Sequence, residues 1–125
     1  MLRKTLLWTM ASLWLLANPV QGDREIHKYS VEVHAPSTKP DGKAWDVSGG
    51  APDMILSVDG RLTYSNPNCL NRYKCTFEIF SKSDNFYLEI YDKDMLNNDI
   101  IATGYCSTDK ICSLGQASVK VVRVE

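Results

Sequence analysis

The sequence predicts an antiparallel β-sandwich of seven to eight short strands, and three observations carry that prediction. Apolar and polar residues alternate in three windows: Tyr29, Val31 and Val33 against Ser30, Glu32 and His34; Cys75, Phe77 and Ile79 against Thr76, Glu78 and Phe80; and Phe86, Leu88 and Ile90 against Tyr87, Glu89 and Tyr91. Period two is the signature of strands with one face buried. Turn formers fall at short intervals, at Asp59-Gly60, Asn66-Pro67-Asn68, Ser107 to Lys110 and Gly115. Beyond residue 22 there is no helical period, internal repeat or low-complexity stretch.

The elements follow in order. Met1-Leu2-Arg3-Lys4 is a short basic start, and the run from Thr5 to Ala17 is apolar. Val20-Gln21-Gly22 supplies modest side chains for cleavage after Gly22, so residues 1–22 read as a secretory signal peptide. The apolar run is 13 residues, against the roughly 20 a spanning helix needs. An uncleaved membrane anchor is the competing reading. Residues 23–125 then form one domain. Lys28 to His34 is the first strand. A long polar loop, Ala35 to Pro52, carries three prolines, three glycines, Asp41 and Asp46. Loops of this length in small domains are often functional. Met54 to Val58 and Arg61 to Ser65 form a hairpin around Asp59-Gly60. Cys75 to Phe80, Phe86 to Tyr91, Ile100 to Tyr105, Ile111 to Ser113 and Ala117 to Val124 complete the set.

Composition excludes several functions. With residues 1–22 removed, 12 basic and 15 acidic residues remain, a net charge of −3. Phosphate backbones demand a basic patch, so nucleic acid is not an expected partner. Arg61, Arg72 and Lys74 are only a scatter of positive charge. His27 and His34 have no partner motif and read as strand-surface residues. No acid–base pair or nucleophile arrangement stands out, so no enzyme is expected. Cys69, Cys75, Cys106 and Cys112 stand as two pairs with five residues between their members. That spacing is wider than zinc knuckles use. Export favours disulfides, and four cysteines allow three pairings. The local pairs Cys69–Cys75 and Cys106–Cys112 are favoured, and a cross-link between the two regions is the alternative.

Charge placement carries the functional signal. Asp92, Asp94 and Asp99 crowd one short stretch after the Phe86–Tyr91 strand, which reads as an acidic loop. Two like charges ~4 Å apart repel by roughly 4 kcal/mol at an effective dielectric near 20. A fold tolerates this if the groups splay into water, take up protons or share a cation. Hard oxygen ligands suit Ca²⁺. The plainer reading is turn chemistry, in which Asp and Asn bond nearby backbone. The long first loop also ends acidic, with Asp46 and Asp53 seven residues apart around Gly49-Gly50. Loops at one end of a sandwich converge, which would bring Asp46 and Asp53 to face Asp92, Asp94 and Asp99.

From roughly Tyr29 to Val124 the chain resembles a C2 domain, the calcium- and phospholipid-binding β-sandwich family, and most of all its bacterial C2-like members. Asp46 with Asp53-Met54-Ile55-Leu56-Ser57-Val58 resembles the family's first calcium loop and the strand leaving it. Ser65-Asn66-Pro67 resembles its Asn-Pro turn, with Phe77-Glu78-Ile79-Phe80 as the following strand. Tyr91-Asp92-Lys93-Asp94 and Asn98-Asp99-Ile100-Ile101-Ala102-Thr103-Gly104 resemble the third calcium loop and its exit strand. The first loop is one residue longer than in better-known members and the third one residue shorter. The Phe80–Tyr87 segment is clipped, Ala102 replaces a glycine, and the cysteines are no family feature.

The resemblance implies an eight-stranded Greek-key sandwich that holds calcium through Asp46, Asp53, Asp92, Asp94 and Asp99. It also implies insertion of Val47, Met95 and Leu96 into a phospholipid membrane once calcium is bound. A secreted or periplasmic location follows from the leader and the cysteines. Two alternatives stand beside this reading. Met95 and Leu96 pack sideways, with Trp45 as one candidate neighbour, or the calcium site rigidifies a module that grips an extracellular protein or glycan.

Overall fold

The computed structural model describes residues 25–46, 49–94 and 98–125, with Asn98 described by its backbone alone. The predicted signal peptide and the tip residues Val47, Met95 and Leu96 lie outside the described residues. Among the described residues, no helix is long and apolar enough to cross a membrane.

Among the described residues, eight strands form two antiparallel four-stranded sheets. They are β1 (His27–His34), β2 (Met54–Val58), β3 (Leu62–Ser65), β4 (Lys74–Ser81), β5 (Asn85–Lys93), β6 (Asn98–Ser107), β7 (Lys110–Leu114) and β8 (Ala117–Arg123). One sheet runs β4-β1-β8-β7 and the other β3-β2-β5-β6. The all-β class read from the sequence therefore holds. One correction is a single turn of 3₁₀-helix at Pro67–Cys69, where no helix was expected; the Asn66 side chain caps it by accepting from the Asn68 N–H.

The alternating windows form the core. Tyr29, Val31 and Val33 of β1, Phe77 and Ile79 of β4, and Val119 and Val121 of β8 are buried against Met54, Leu56 and Val58 of β2 and Phe86, Leu88 and Ile90 of β5. Tyr29 meets Phe86 edge-on across the two sheets at 5.1 Å, a favoured aromatic geometry. The Asp59-Gly60 signal is a hairpin turn, with both residues at positive φ (55° and 67°) and the Arg61 N–H donating to the Val58 carbonyl. Two positive φ values match the right-handed twist of the strands the turn joins.

Both disulfides are the local pairs, Cys69–Cys75 and Cys106–Cys112. Their placement has more consequence than their loop size. Cys69 and Cys75 flank the passage from β3 in one sheet to β4 in the other, and Cys106 and Cys112 flank the passage from β6 to β7. The Cys106–Cys112 bridge therefore ties edge strand β6 to edge strand β7, and the Cys69–Cys75 bridge ties the 3₁₀ turn that follows edge strand β3 to edge strand β4. Disulfides persist in oxidising compartments, so the pair is the mark of a protein outside the reducing cytosol.

The β6/β7 edge also depends on Gly104. Its φ is +155°, and a Cβ there would lie 2.7 Å from Leu114 Cδ2. A Gly104→Ala variant is expected to lose about 1–3 kcal/mol from overpacking at this contact. Urea denaturation of the variant against the parent measures the loss.

Candidate metal centre

The site is built where β5 and β6 leave the core. In β5 the inward phase runs Phe86, Leu88, Ile90 and then Asp92. The strand continues to Lys93, so Asp92 is not the first residue of a loop, as its charge suggested. It is an inward-facing strand residue, paired in register with Met54 of β2 and only 3% exposed. Asp99, expected just before the next strand, lies inside β6 directly opposite Asp92. Two aspartates facing each other across a ladder repel. A register irregularity near Ile90 and Tyr91 sets this pairing.

Carboxylate oxygens of Asp92, Asp94 and Asp99 all lie within 4.8 Å of one another. Asp92 is buried, Asp94 exposed and Asp99 half-buried. This group could hold a metal ion. One oxygen of Asp92 accepts from the Asp53 backbone N–H at 2.8 Å. Its other oxygen has no hydrogen bond among the described residues. A buried carboxylate with so little compensation resists ionisation. Burial pushes the Asp92 carboxyl up to about 6, against the hydrogen bond from Asp53 and reinforced by the charges of Asp94, Asp53 and Asp99. Asp94 is also raised, first by its own desolvation and then by Asp99.

The first acidic turn meets the second. Asp46, Asp53, Asp92 and Asp94 line one small cavity of about 180 Å³, with Trp45, Ala51 and Lys93 completing its wall. This volume exceeds the roughly 30 Å³ share of one water several-fold, enough for a cation with part of its hydration. The first loop is firmly held. Trp45 is 4% exposed and its Nε1 donates to the Pro36 carbonyl at 2.9 Å. The Asp46 N–H donates to the Gly50 carbonyl at 3.4 Å, and the Gly49 N–H donates to the Asp46 carbonyl at 2.9 Å.

Two residues of the site were not anticipated from the sequence. Asn71, at φ 55°, reaches in from the β3–β4 connection. Its backbone N–H donates to Asp53 Oδ1 at 2.7 Å, and its Oδ1 accepts from the Ala51 N–H at 2.9 Å. Asn71 thereby fixes the Asp53 carboxylate. Gly50 makes room for this, because a Cβ there would sit 2.8 Å from Asn71 Oδ1 and 3.3 Å from Asp46 Oδ2. The available signal was an Asn tolerant of the left-handed region, two residues after a cysteine. The second residue is Lys39, whose Nζ lies 2.9 Å from Asp99 Oδ2. It holds the Asp99 carboxyl below its ordinary value. A lone lysine in a polar loop gave no sequence signal for this contact.

Comparison with protein-family models, curated proteins and solved structures finds no match to this chain.

Proposed function

We propose that the domain is an exported calcium-binding module of the C2 type, which docks on phospholipid surfaces through its calcium-loaded loops. One observation carries the metal reading: Asp92 is buried, incompletely hydrogen-bonded and set among four further aspartates. Asp46, Asp53, Asp92, Asp94 and Asp99 are the residues that would hold the ion. An all-oxygen carboxylate set suits a hard cation, and Ca²⁺ accepts six to eight such ligands in adaptable geometry. The bound ion would cancel the repulsion across the Asp92–Asp99 pair and offer open positions to a lipid phosphate. Val47, Met95 and Leu96 are the apolar residues whose sequence positions flank these ligands.

A second reading has its own observation. The outer face of β5 and β6 carries Tyr87, Tyr91 and Tyr105, and Tyr105 is 70% exposed. The Tyr87 and Tyr105 rings lie 5.0 Å apart, and the Tyr91 hydroxyl donates to Glu89. An exposed tyrosine flanked by half-buried ones favours contact with a protein or glycan, with calcium serving only to rigidify the loops.

Thermal unfolding in about 10 mM CaCl₂ is expected to lie roughly 10 °C above unfolding in chelator. Extracellular sites bind at about 10⁻⁴–10⁻³ M, which gives about 2 kcal/mol by mass action. An unchanged midpoint would remove the metal reading. Sedimentation with phosphatidylserine-containing vesicles separates the two functions: calcium-dependent pelleting supports lipid docking, and calcium stabilisation without pelleting supports the protein or glycan module.

A further inference from the structure

One side of the sandwich, where β3 ends one sheet and β4 ends the other, carries an uncovered apolar strip. Leu62 and Tyr64 of β3 stand directly opposite Val58 and Leu56 of β2. Residues opposite each other in an antiparallel pair share one face of the sheet. Leu62 and Tyr64 therefore have the inward phase of two buried residues. Yet Leu62 is 57% exposed and Tyr64 only half-buried. An inward residue stays exposed where no strand of the facing sheet lies over it. Two cavities of about 850 and 780 Å³ follow this side. Ile26, Val58, Leu62 and Phe80 border the first, Thr76 and Phe77 the second, and Tyr64 borders both, so the two run on as one cleft.

The β4 backbone borders this cleft and is open to a further strand. β4 is 8 residues long and, among the described residues, pairs on one side only, with β1. The Thr76 carbonyl accepts from Asn66 Nδ2 at 2.9 Å, so it points to the open side. Hydrogen-bonding direction repeats every second residue along an antiparallel strand. Glu78 and Phe80 therefore turn their N–H and C=O groups the same way. Edge strands that resist pairing are short, bulged, or guarded by proline or free charges. β4 has no proline, and its register against β1 is unbroken. Its two charges are engaged elsewhere, Lys74 with Glu32 at 3.3 Å and Glu78 with Lys28 at 3.5 Å.

The remaining charges define what fits. Arg61, Arg72 and Lys82, scattered in the sequence, all border this cleft and are exposed. None of them has an ion pair among the described residues. Asp59 is the carboxylate set against them, and its Oδ1 accepts from the Tyr87 N–H. The cleft is thus positive on a chain whose net charge is −1. We propose that this side binds an extended acidic segment of a partner protein, which adds to β4 as a further strand. Its alternate apolar side chains cover Leu62 and Tyr64, and its carboxylates meet Arg61, Arg72 and Lys82. In this mode main-chain hydrogen bonds supply affinity, and pockets for alternate side chains supply specificity. None of these residues belongs to the aspartate centre, so the inference is independent of the metal reading.

The test is NMR titration of the domain with an alternating Val-Glu peptide that matches the 8 residues of β4, in calcium and in chelator. Binding is expected in both. Amide exchange at Glu78 and Phe80 is expected to slow at least about tenfold as their N–H groups gain partners. An alternating Val-Lys peptide is expected to bind about tenfold more weakly, because it loses the pairs with Arg61, Arg72 and Lys82. Leu62→Lys sets a charge under the peptide and is expected to weaken binding about tenfold or more. Glu78→Pro removes one outward N–H from an edge strand, where proline is tolerated. It is expected to abolish binding, while Glu78→Gln binds as the parent does. If Glu78→Pro fails to fold, Leu62→Lys and the amide exchange decide the matter. No binding of the Val-Glu peptide at about 1 mM, equal binding of the Val-Lys peptide, unchanged binding by Leu62→Lys, or shifts confined to the Tyr87 and Tyr105 face would each overturn the inference and leave the metal reading untouched.

Discussion

Replacing Asp92 with Asn is expected to abolish calcium binding and, in the same variant, to stabilise the metal-free domain. The two effects have one cause. Asn keeps the shape and an oxygen able to accept from the Asp53 N–H, but it removes a charge that is buried beside Asp94, Asp53 and Asp99. With the Asp92 carboxyl pushed up to about 6 from 3.8, keeping it ionised at pH 7 costs on the order of 2–3 kcal/mol by linkage. The variant escapes this cost. Chemical denaturation in chelator should show the gain in stability, and calorimetry should show the loss of calcium binding. A variant no more stable than its parent in chelator would mean that the buried charge is already compensated.

The same shift fixes the pH dependence of the metal-free protein. The folded-state value lies above the unfolded one, so the native state binds the extra proton. Stability should therefore rise as pH falls through about 6, with the gain complete below the unfolded value near 4. Asp99 works in the opposite sense, because Lys39 lowers its value. Its contribution is present above the unfolded value and is lost only at pH below about 4, so the two windows are distinct. If the site binds calcium as proposed, the ion is expected to reverse the first trend, since protons and the ion would compete for Asp92. Denaturation midpoints at pH 5 and pH 7, with and without calcium, should cross.

Loss of both disulfides is the second large effect. Each closes a small loop, Cys69–Cys75 and Cys106–Cys112 at a sequence separation of 6, worth roughly 2–3 kcal/mol in the chain-entropy model. Domains of this size have about 5–15 kcal/mol in total. The two bridges sit at opposite edges of the sandwich, far enough apart for their contributions to add. Reduction of both is therefore expected to remove about 4–6 kcal/mol and to leave the domain marginal or unfolded at 37 °C. Urea unfolding of the oxidised protein, of the Cys106→Ala/Cys112→Ala variant and of the fully reduced protein measures the series. A fully reduced protein as stable as the oxidised one would show that core packing alone holds the two sheets together.

The core was legible because its message is local. Tyr29, Val31 and Val33, then Phe77 and Ile79, then Phe86, Leu88 and Ile90 alternate with polar residues, and a strand with one dry face admits no other reading. Asp59-Gly60 was legible for the same reason, since two consecutive positive φ values require such residues. The boundaries at the acidic end were misread. Asp92 continues the inward phase of β5, but a charged residue in that phase looked like the end of the strand. Periodicity was the better guide, because the Asp53 N–H that partly compensates the burial of Asp92 comes from a distant segment. Asn71 and Lys39 were unreadable on the same grounds: each acts on a partner 18 or 60 residues away.

By itself, the sequence determined an all-β chain, its inward and outward residues, and two acidic segments too crowded to lie near each other without compensation. Only the tertiary structure decided that Asp92 faces Asp99 across a ladder, that Asn71 braces Asp53, that Lys39 rests on Asp99 and that the disulfides sit where the chain passes between the edges of the two sheets. Alternation and turn chemistry act over two to four residues and are written in neighbouring letters. Charge compensation acts through space, and which charges meet is settled only when the sheets close on one another.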